Sequence, residues 1–290
     1  MAQKLEGKVA VLTGAGSKAG IGRETAKSMA AEGAKVVVND MGKDPEGGWG
    51  ADRVVKEIKE AGGIAVANYD SVGSMENGVN IIKTAIDNFG RIDILVNTAG
   101  NFKVARSSID FTEADWDITM DVHLKGVFAC TQAALKEMLK QQSGGRIINF
   151  TSMAAFTAPF KGSHLPYNAA KAGVIGFTRA LALEMKEHGI TVNAISPGAH
   201  TSLFPVDAAG PEYISPLITY LATDEAKDIT SQFIFASGGV ICVLAHPVTG
   251  LVPPDLDLPS VTAHGYLYKD GIWTMEELAK ALPVVLQKID

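Results

Sequence analysis

The chain is poor in everything that would build a covalent or metal framework. Its only cysteines, Cys130 and Cys242, form no CxxC pair and no ligand-spaced set. A disulfide scaffold is therefore excluded, and two reduced, buried thiols are expected. No apolar run nears the ~18 residues of a membrane span, so no membrane partner is expected. Positive charge is not in excess either: 26 Lys and Arg against 32 Asp and Glu leave a net charge of −6. Nucleic acid wants a clustered basic face, so it is not an expected partner. The N-terminus, MAQKLEGKVAVLTG, passes from charge straight into strand-like residues without a signal-peptide core, which makes the cytoplasm the expected location. Internal repeats and low-complexity tracts are also missing.

What is present is an alternation of short β-rich runs and longer helical patterns. Strands are predicted at 8–13, 35–39, 64–69, 92–97, 145–151, 190–196 and 232–237, and helices near 21–32, 50–61, 75–89, 113–141, 167–188 and 212–223. Several strands are almost wholly apolar, as happens when helices cover both faces of a parallel sheet. The expected fold is α/β, a Rossmann-type doubly wound parallel sheet of about seven strands with helices on both faces. After residue 240 the texture changes. HPVTGLVPPDLDLP carries four prolines, which exclude regular helix and a central strand. Further on, Thr274 with Glu277 reads as a capping box. Residues 1–240 are thus expected to form the main domain, and 241–290 an arm ending in one short helix, packed on that domain or on a neighbouring subunit.

Two clusters carry chemistry. TGAGSKAGIG, residues 13–22, lies between a strand and a helix. Backbone N–H groups and a helix dipole there suit a pyrophosphate, and glycine permits the close approach. Three residues separate Gly16 from Gly20, so the strict GxGxxG spacing fails, and a mere glycine-rich turn stays open. Asp40, ending the second strand some twenty residues on, is placed to accept hydrogen bonds from an adenosine ribose. Its charge would repel a 2′-phosphate, favouring NAD over NADP, with Lys18 and Lys43 as counterweights. The second cluster is YNAAK: Tyr167 and Lys171 stand at i, i+4 on one helix face. A phenol is a poor base at neutral pH, and a cation ~4 Å away in an effective dielectric of ~20 is worth about the 4 kcal/mol needed to tune it. A surface Tyr and Lys sharing a helix is the other reading.

Together with Asp70, NTAG (97–100), Ser152 and NAISPG (193–198), these motifs resemble the short-chain dehydrogenase/reductase family over roughly residues 6–240. The resemblance implies an NAD-dependent enzyme interconverting a secondary alcohol and a ketone. It implies Ser152 on the substrate oxygen, Tyr167 as acid/base, and Lys171 on the nicotinamide ribose. Gly14, Gly16, Ser17, Lys18, Gly20 and Ile21 would hold the pyrophosphate; Asp40, Asn97, Ala99 and Gly100 the adenosine ribose; Asp70, Ser71 and Val72 the adenine. Pro197, Gly198 and Thr201 would shape the nicotinamide pocket, and a homodimer or homotetramer on the helices at 113–141 and 167–188 is implied.

Three departures from the family pattern matter. The glycine loop is two residues longer than usual, with Lys18 and Ala19 as the bulge. Fourteen residues rather than about twelve separate Ser152 from Tyr167, a stretch holding Phe156, Phe160 and His164. His123 stands where the family commonly has an asparagine supporting a relay water, so it is either an altered relay or purely structural. The stretch 39–72 with DWDITMDVHLKGVF is similar to the dehydrogenase region of peroxisomal multifunctional β-oxidation enzymes. That likeness implies a 3-hydroxyacyl-CoA or related CoA thioester as the small-molecule substrate. Against it, the segment after SPG holds no basic cluster for CoA phosphates. A free alicyclic, aromatic or steroid ketone, with Trp49, Phe156 and Phe160 lining its pocket, is the alternative, and a silent NAD-binding scaffold a third.

Overall fold

A computed structural model describes residues 3–44, 47–101, 106–157, 164–202, 205, 207–244, 263–268 and 271–285, the side chains of 263–268 and 282–285 excepted. Phe160 and the proline-rich segment lie outside the described residues. Strands β1 (Val9–Thr13), β2 (Lys35–Asn39), β3 (Ile64–Asn68), β4 (Ile94–Asn97), β5 (Gly145–Phe150), β6 (Ile190–Pro197) and β7 (Phe233–Ser237) pair in parallel, in the order β3-β2-β1-β4-β5-β6-β7. The order reverses between β1 and β4, the point where doubly wound sheets bind ligands.

Helices α1 (Ile21–Ala31), α2 (Gly50–Glu60) and α7 (Ser215–Leu221) cover one face. Helices α3 (Met75–Phe89), α5 (Gly126–Gln141) and α6 (Leu165–Met185) cover the other. Strand β1 shows why both faces must be apolar: Ala10 and Leu12 enter the first core, while Val9 and Val11 enter the second. The long helix expected over 113–141 is interrupted. Helix α4 (Glu113–Met120), capped by a reciprocal Thr112–Asp115 box, runs into a π-helical turn, Asp121–Lys125, before α5 begins.

Among the described residues the sheet has nine strands, two more than expected. β8 (Val240–Leu244) folds back antiparallel on β7 through the two-residue turn Gly238–Gly239, where Gly238 takes a φ of +53°. β9 (Ala263–Tyr268) then pairs antiparallel with β8. VICVL alternates, with Ile241 and Val243 inward and buried, a period-2 signal overshadowed by the prolines that follow. Helix α8 (Met275–Val285) opens with the expected box: Thr274 N–H donates to Glu277 Oε2 at 2.8 Å and Glu277 N–H to Thr274 Oγ1 at 3.3 Å. Leu278 is buried in the first core, and Trp273 Nε1 donates to the Gly239 carbonyl at 2.9 Å. These residues therefore pack on their own sheet. Both cysteines are free thiols; Cys130 is buried, whereas Cys242 is only half-buried because it sits on the outward phase of β8.

Candidate active site

The loops leaving β1, β2, β3, β4, β5 and β6 enclose a cleft of about 1070 Å³. Its far end is the glycine loop. Gly14 adopts a φ of +64°, and a Cβ there would lie 2.5 Å from Ala99 Cα. A Cβ on Gly16 would meet Asp40 Cβ at 2.7 Å and the Gly50 carbonyl carbon at 2.8 Å. Helix α1 begins at Ile21 after Gly20, an N-cap without a side chain to satisfy the first-turn N–H groups. A backbone cradle leading to an uncapped helix start fits a pyrophosphate.

The insert after β2 braces this loop. Arg53 donates to the Gly16 carbonyl at 2.5 Å while pairing with Asp44 at 2.9 Å. Asp40 accepts from Gly16 N–H through Oδ2 and from Gly42 N–H through Oδ1, each at 2.7 Å. The two counterweight lysines are both engaged: Lys43 Nζ lies 4.7 Å from the centre of the Trp49 ring, and Lys18 acts on the Asp44 carboxylate, helping hold its pKa below the usual carboxylate range after the larger effect of Arg53. Asp70 is fixed by a carboxamide network. Asn68 Nδ2 donates to its Oδ2 at 2.8 Å, and Asn39 Nδ2 donates to its carbonyl at 2.8 Å.

The near end holds the expected catalytic set. Ser152 follows β5 and caps a short 3-10 turn, its Oγ accepting from Ala154 N–H at 3.1 Å. Pro166 sits in the first turn of α6, a place that needs no N–H donor, and the helix starts at Leu165, two residues before Tyr167. The next helical turn brings Lys171 beneath it. Ser152 hydrogen-bonds Tyr167 and pulls its pKa down, but burial outweighs that and pushes the phenol up to about 12. Burial likewise presses Lys171 down to about 7; its Nζ donates to the Phe150 carbonyl at 2.7 Å and lies 5.7 Å from the Tyr167 ring centre. The tuning expected of Lys171 belongs to the state with an oxidised nicotinamide bound; in the chain by itself burial acts on both groups. Desolvation dominates because both groups are removed from water and the ammonium is turned to a carbonyl.

His123 enters from the π-helical turn, whose extra residue per turn rotates it inward. It is buried and stacks edge-on against Tyr167 at 5.0 Å between centroids. Nε2 lies 2.7 Å from the Asn101 carbonyl, whereas the buried Nδ1 has no partner. Burial, aided by Lys171, lowers its pKa to about 3, so the ring is neutral.

All but one of the anticipated cofactor and catalytic residues line this single cleft. Asn97 is the exception. It is 3% exposed, with Nδ2 donating to Asn149 Oδ1 at 2.9 Å and to Thr131 Oγ1 at 3.1 Å, because the pleat turns the end of β4 toward α5. Trp49 stacks on Tyr69 at 5.0 Å and Phe156 is half-exposed; neither lines the cleft. Sequence reasoning missed Asn101, Ile118, Met153 and Ser202, which do line it. Asn101 meets His123 through its backbone, which leaves no side-chain signal. Ile118 was legible only as an apolar residue left exposed on α4.

Among the described residues no helix is long and apolar enough to cross a membrane, and no group of three or more metal-ligating side chains occurs. The family model for short chain dehydrogenases matches residues 8–204. A peroxisomal multifunctional enzyme type 2 of Drosophila melanogaster is 40% identical over 96% of this chain, which spans 46% of that protein. The chain therefore spans less than two thirds of the length of such multifunctional relatives. A 3-oxoacyl-[acyl-carrier-protein] reductase of Synechocystis is 41% identical over 82% of this chain and 98% of its own. A (2S)-[(R)-hydroxy(phenyl)methyl]succinyl-CoA dehydrogenase subunit of Thauera aromatica is 36% identical over 81% and 97%. The crystal structure of a short chain dehydrogenase from Mycobacterium avium superposes with a TM-score of 0.78 at 36% identity, covering 99% of this chain and 97% of that one. Several relatives are named as peroxisomal, a compartment other than the cytoplasm expected from the N-terminus.

Proposed function

Because this chain belongs to the short-chain dehydrogenase family, whose members are oxidoreductases, we propose that it interconverts a secondary alcohol and a ketone with NAD(H), acting on a 3-hydroxyacyl-CoA or related thioester. One observation carries the reading. Ser152, Tyr167 and Lys171 converge at one end of the cleft whose other end is the glycine cradle and Asp40. The family uses nicotinamide cofactors. When bound, the nicotinamide gives or takes the hydride at the carbinol carbon.

The rest is done by the chain. Ser152 Oγ and the Tyr167 hydroxyl hold the substrate oxygen between them. In reduction the phenol, protonated at neutral pH, gives its proton to that oxygen. In oxidation the phenolate must take it, and there Lys171 matters: its protonated amine, one helical turn on, is the positive charge that favours the phenolate. His123, neutral, holds the Asn101 backbone and packs the Tyr167 ring, fixing where the hydroxyl points.

NAD rather than NADP is favoured by the fixed Asp40 carboxylate, with Lys18 and Lys43, which line the same cleft, as counterweights. The thioester class is supported by two relatives named for acyl-carrier-protein and CoA thioesters. A homodimer or homotetramer built on α4–α5 and α6 is supported by Phe128 and Leu183, apolar and exposed on those helices. The test of the reaction follows nicotinamide absorbance with NAD and a panel of 3-hydroxyacyl-CoAs and free secondary alcohols. Turnover of thioesters is expected; turnover of free alcohols alone would overturn the substrate class, and no turnover of either would overturn the reaction.

A further inference from the structure

The two extra residues of the glycine loop have a partner on the opposite wall of the cleft. Ala19 N–H donates to Ser202 Oγ at 3.2 Å, and Ser202 N–H donates to the Ala19 carbonyl at 2.9 Å. The segment carrying Ser202 is itself tied down. Gly198 N–H donates to the Ala236 carbonyl at 2.8 Å, and His200 N–H to the Ala209 carbonyl at 2.9 Å. Ala19 belongs to the loop after β1 that ends in the uncapped start of α1, whereas Ser202 belongs to the segment after β6, and β4 and β5 lie between those two strands in the sheet. The paired bonds therefore join the cradle to the far wall, across the carboxyl ends of β4 and β5. A loop two residues shorter would lack the bulge that reaches across.

We propose that the Ala19–Ser202 clasp is a strap over the dinucleotide cleft, making Ser202 a positioning residue that limits both entry and exit of the cofactor. This rests on the cofactor reading above. A dinucleotide laid from Asp40 to Tyr167 runs past the glycine loop, so it passes this point each way. Removing a bond that only stabilised the bound state would speed release alone. A strap, opened by mutation, speeds entry and release together.

The test is rapid-mixing measurement of NADH association and dissociation, followed by nicotinamide fluorescence, for the wild type, Ser202→Ala and a variant lacking Lys18 and Ala19. The net strength of one hydrogen bond predicts about three- to tenfold faster release for Ser202→Ala, with a comparable gain in entry and a dissociation constant changed by less than either rate. The deletion does at least as much, and adding Ser202→Ala to it adds little, since both open the same clasp. Unchanged release, or faster release with unchanged entry, overturns the proposal. Amide hydrogen exchange of the chain alone gives an answer independent of cofactor binding: Ser202 N–H is slowed, and the deletion abolishes the slowing. An unprotected Ser202 amide means no clasp, whereas a protected one in a chain that fails to bind NADH overturns the cofactor reading instead.

Discussion

Replacing Asp40 by Asn removes one negative charge from the ribose end of the cleft and little else. The carboxylate is held on both oxygens by backbone N–H groups at 2.7 Å, so it cannot swing away from an arriving anion. A phosphate monoester carries about −1.5 to −2 charge at neutral pH. At ~5 Å in an effective dielectric of ~20, Coulomb's law gives ~3 kcal/mol of repulsion per unit charge. Asp40 is only partly buried, so solvent and salt reduce the whole effect to about 1.5–2 kcal/mol. The ratio of kcat/KM for NAD over NADP is therefore expected to fall roughly ten- to thirtyfold in Asp40→Asn. Asn keeps one acceptor for the loop, whereas Asp40→Ala keeps none and should also weaken NADH binding. Titration of both variants with NADH and NADPH separates the effects. If affinity for the two cofactors falls by the same factor in Asp40→Asn, the carboxylate only braces the glycine loop and the specificity argument fails.

Tyr167→Phe should lower kcat by at least a thousandfold, on the order of a lost acid/base group, while NADH affinity stays within a few-fold by fluorescence titration; a large loss of affinity would mean that Tyr167 is structural. Lys171→Met tests the buried amine through stability. Burial holds Lys171 near 7 against 10.5 in the free side chain, so between those values the unfolded chain binds more protons and wild-type stability rises with pH. Met binds none, so the Tm difference, variant minus wild type, should be largest near pH ~6 and shrink toward pH ~10; a flat difference would contradict the burial. Gly14→Ala places a Cβ 2.5 Å from Ala99 Cα at a φ of +64°, and should cost about 2–3 kcal/mol in denaturant melts with more than tenfold loss of NADH affinity; wild-type behaviour would show that the loop yields. Light scattering should report a dimer or tetramer at micromolar concentration, and a monomer would remove α4–α5 and α6 as an interface.

The apolar runs and their alternation with helical periodicity carried the seven parallel strands, because a strand buried on both faces must be apolar throughout. The i, i+4 spacing of Tyr167 and Lys171 put both on one helix face, and the glycines of residues 14–20 marked a cradle that a Cβ would fill. These are local facts, legible one segment at a time. Tertiary structure alone decided the others. Asn97 turns inward because α5 and the end of β5 offer it buried oxygens, while burial raises the phenol because desolvation depends on everything packed around Tyr167. A π-helical turn aims His123, and the bulge at Lys18–Ala19 acquires a partner only when Ser202, remote in sequence, is folded against it. Periodicity reports which face of an element is apolar; it says nothing of which backbone carbonyl waits on the far side of a cleft.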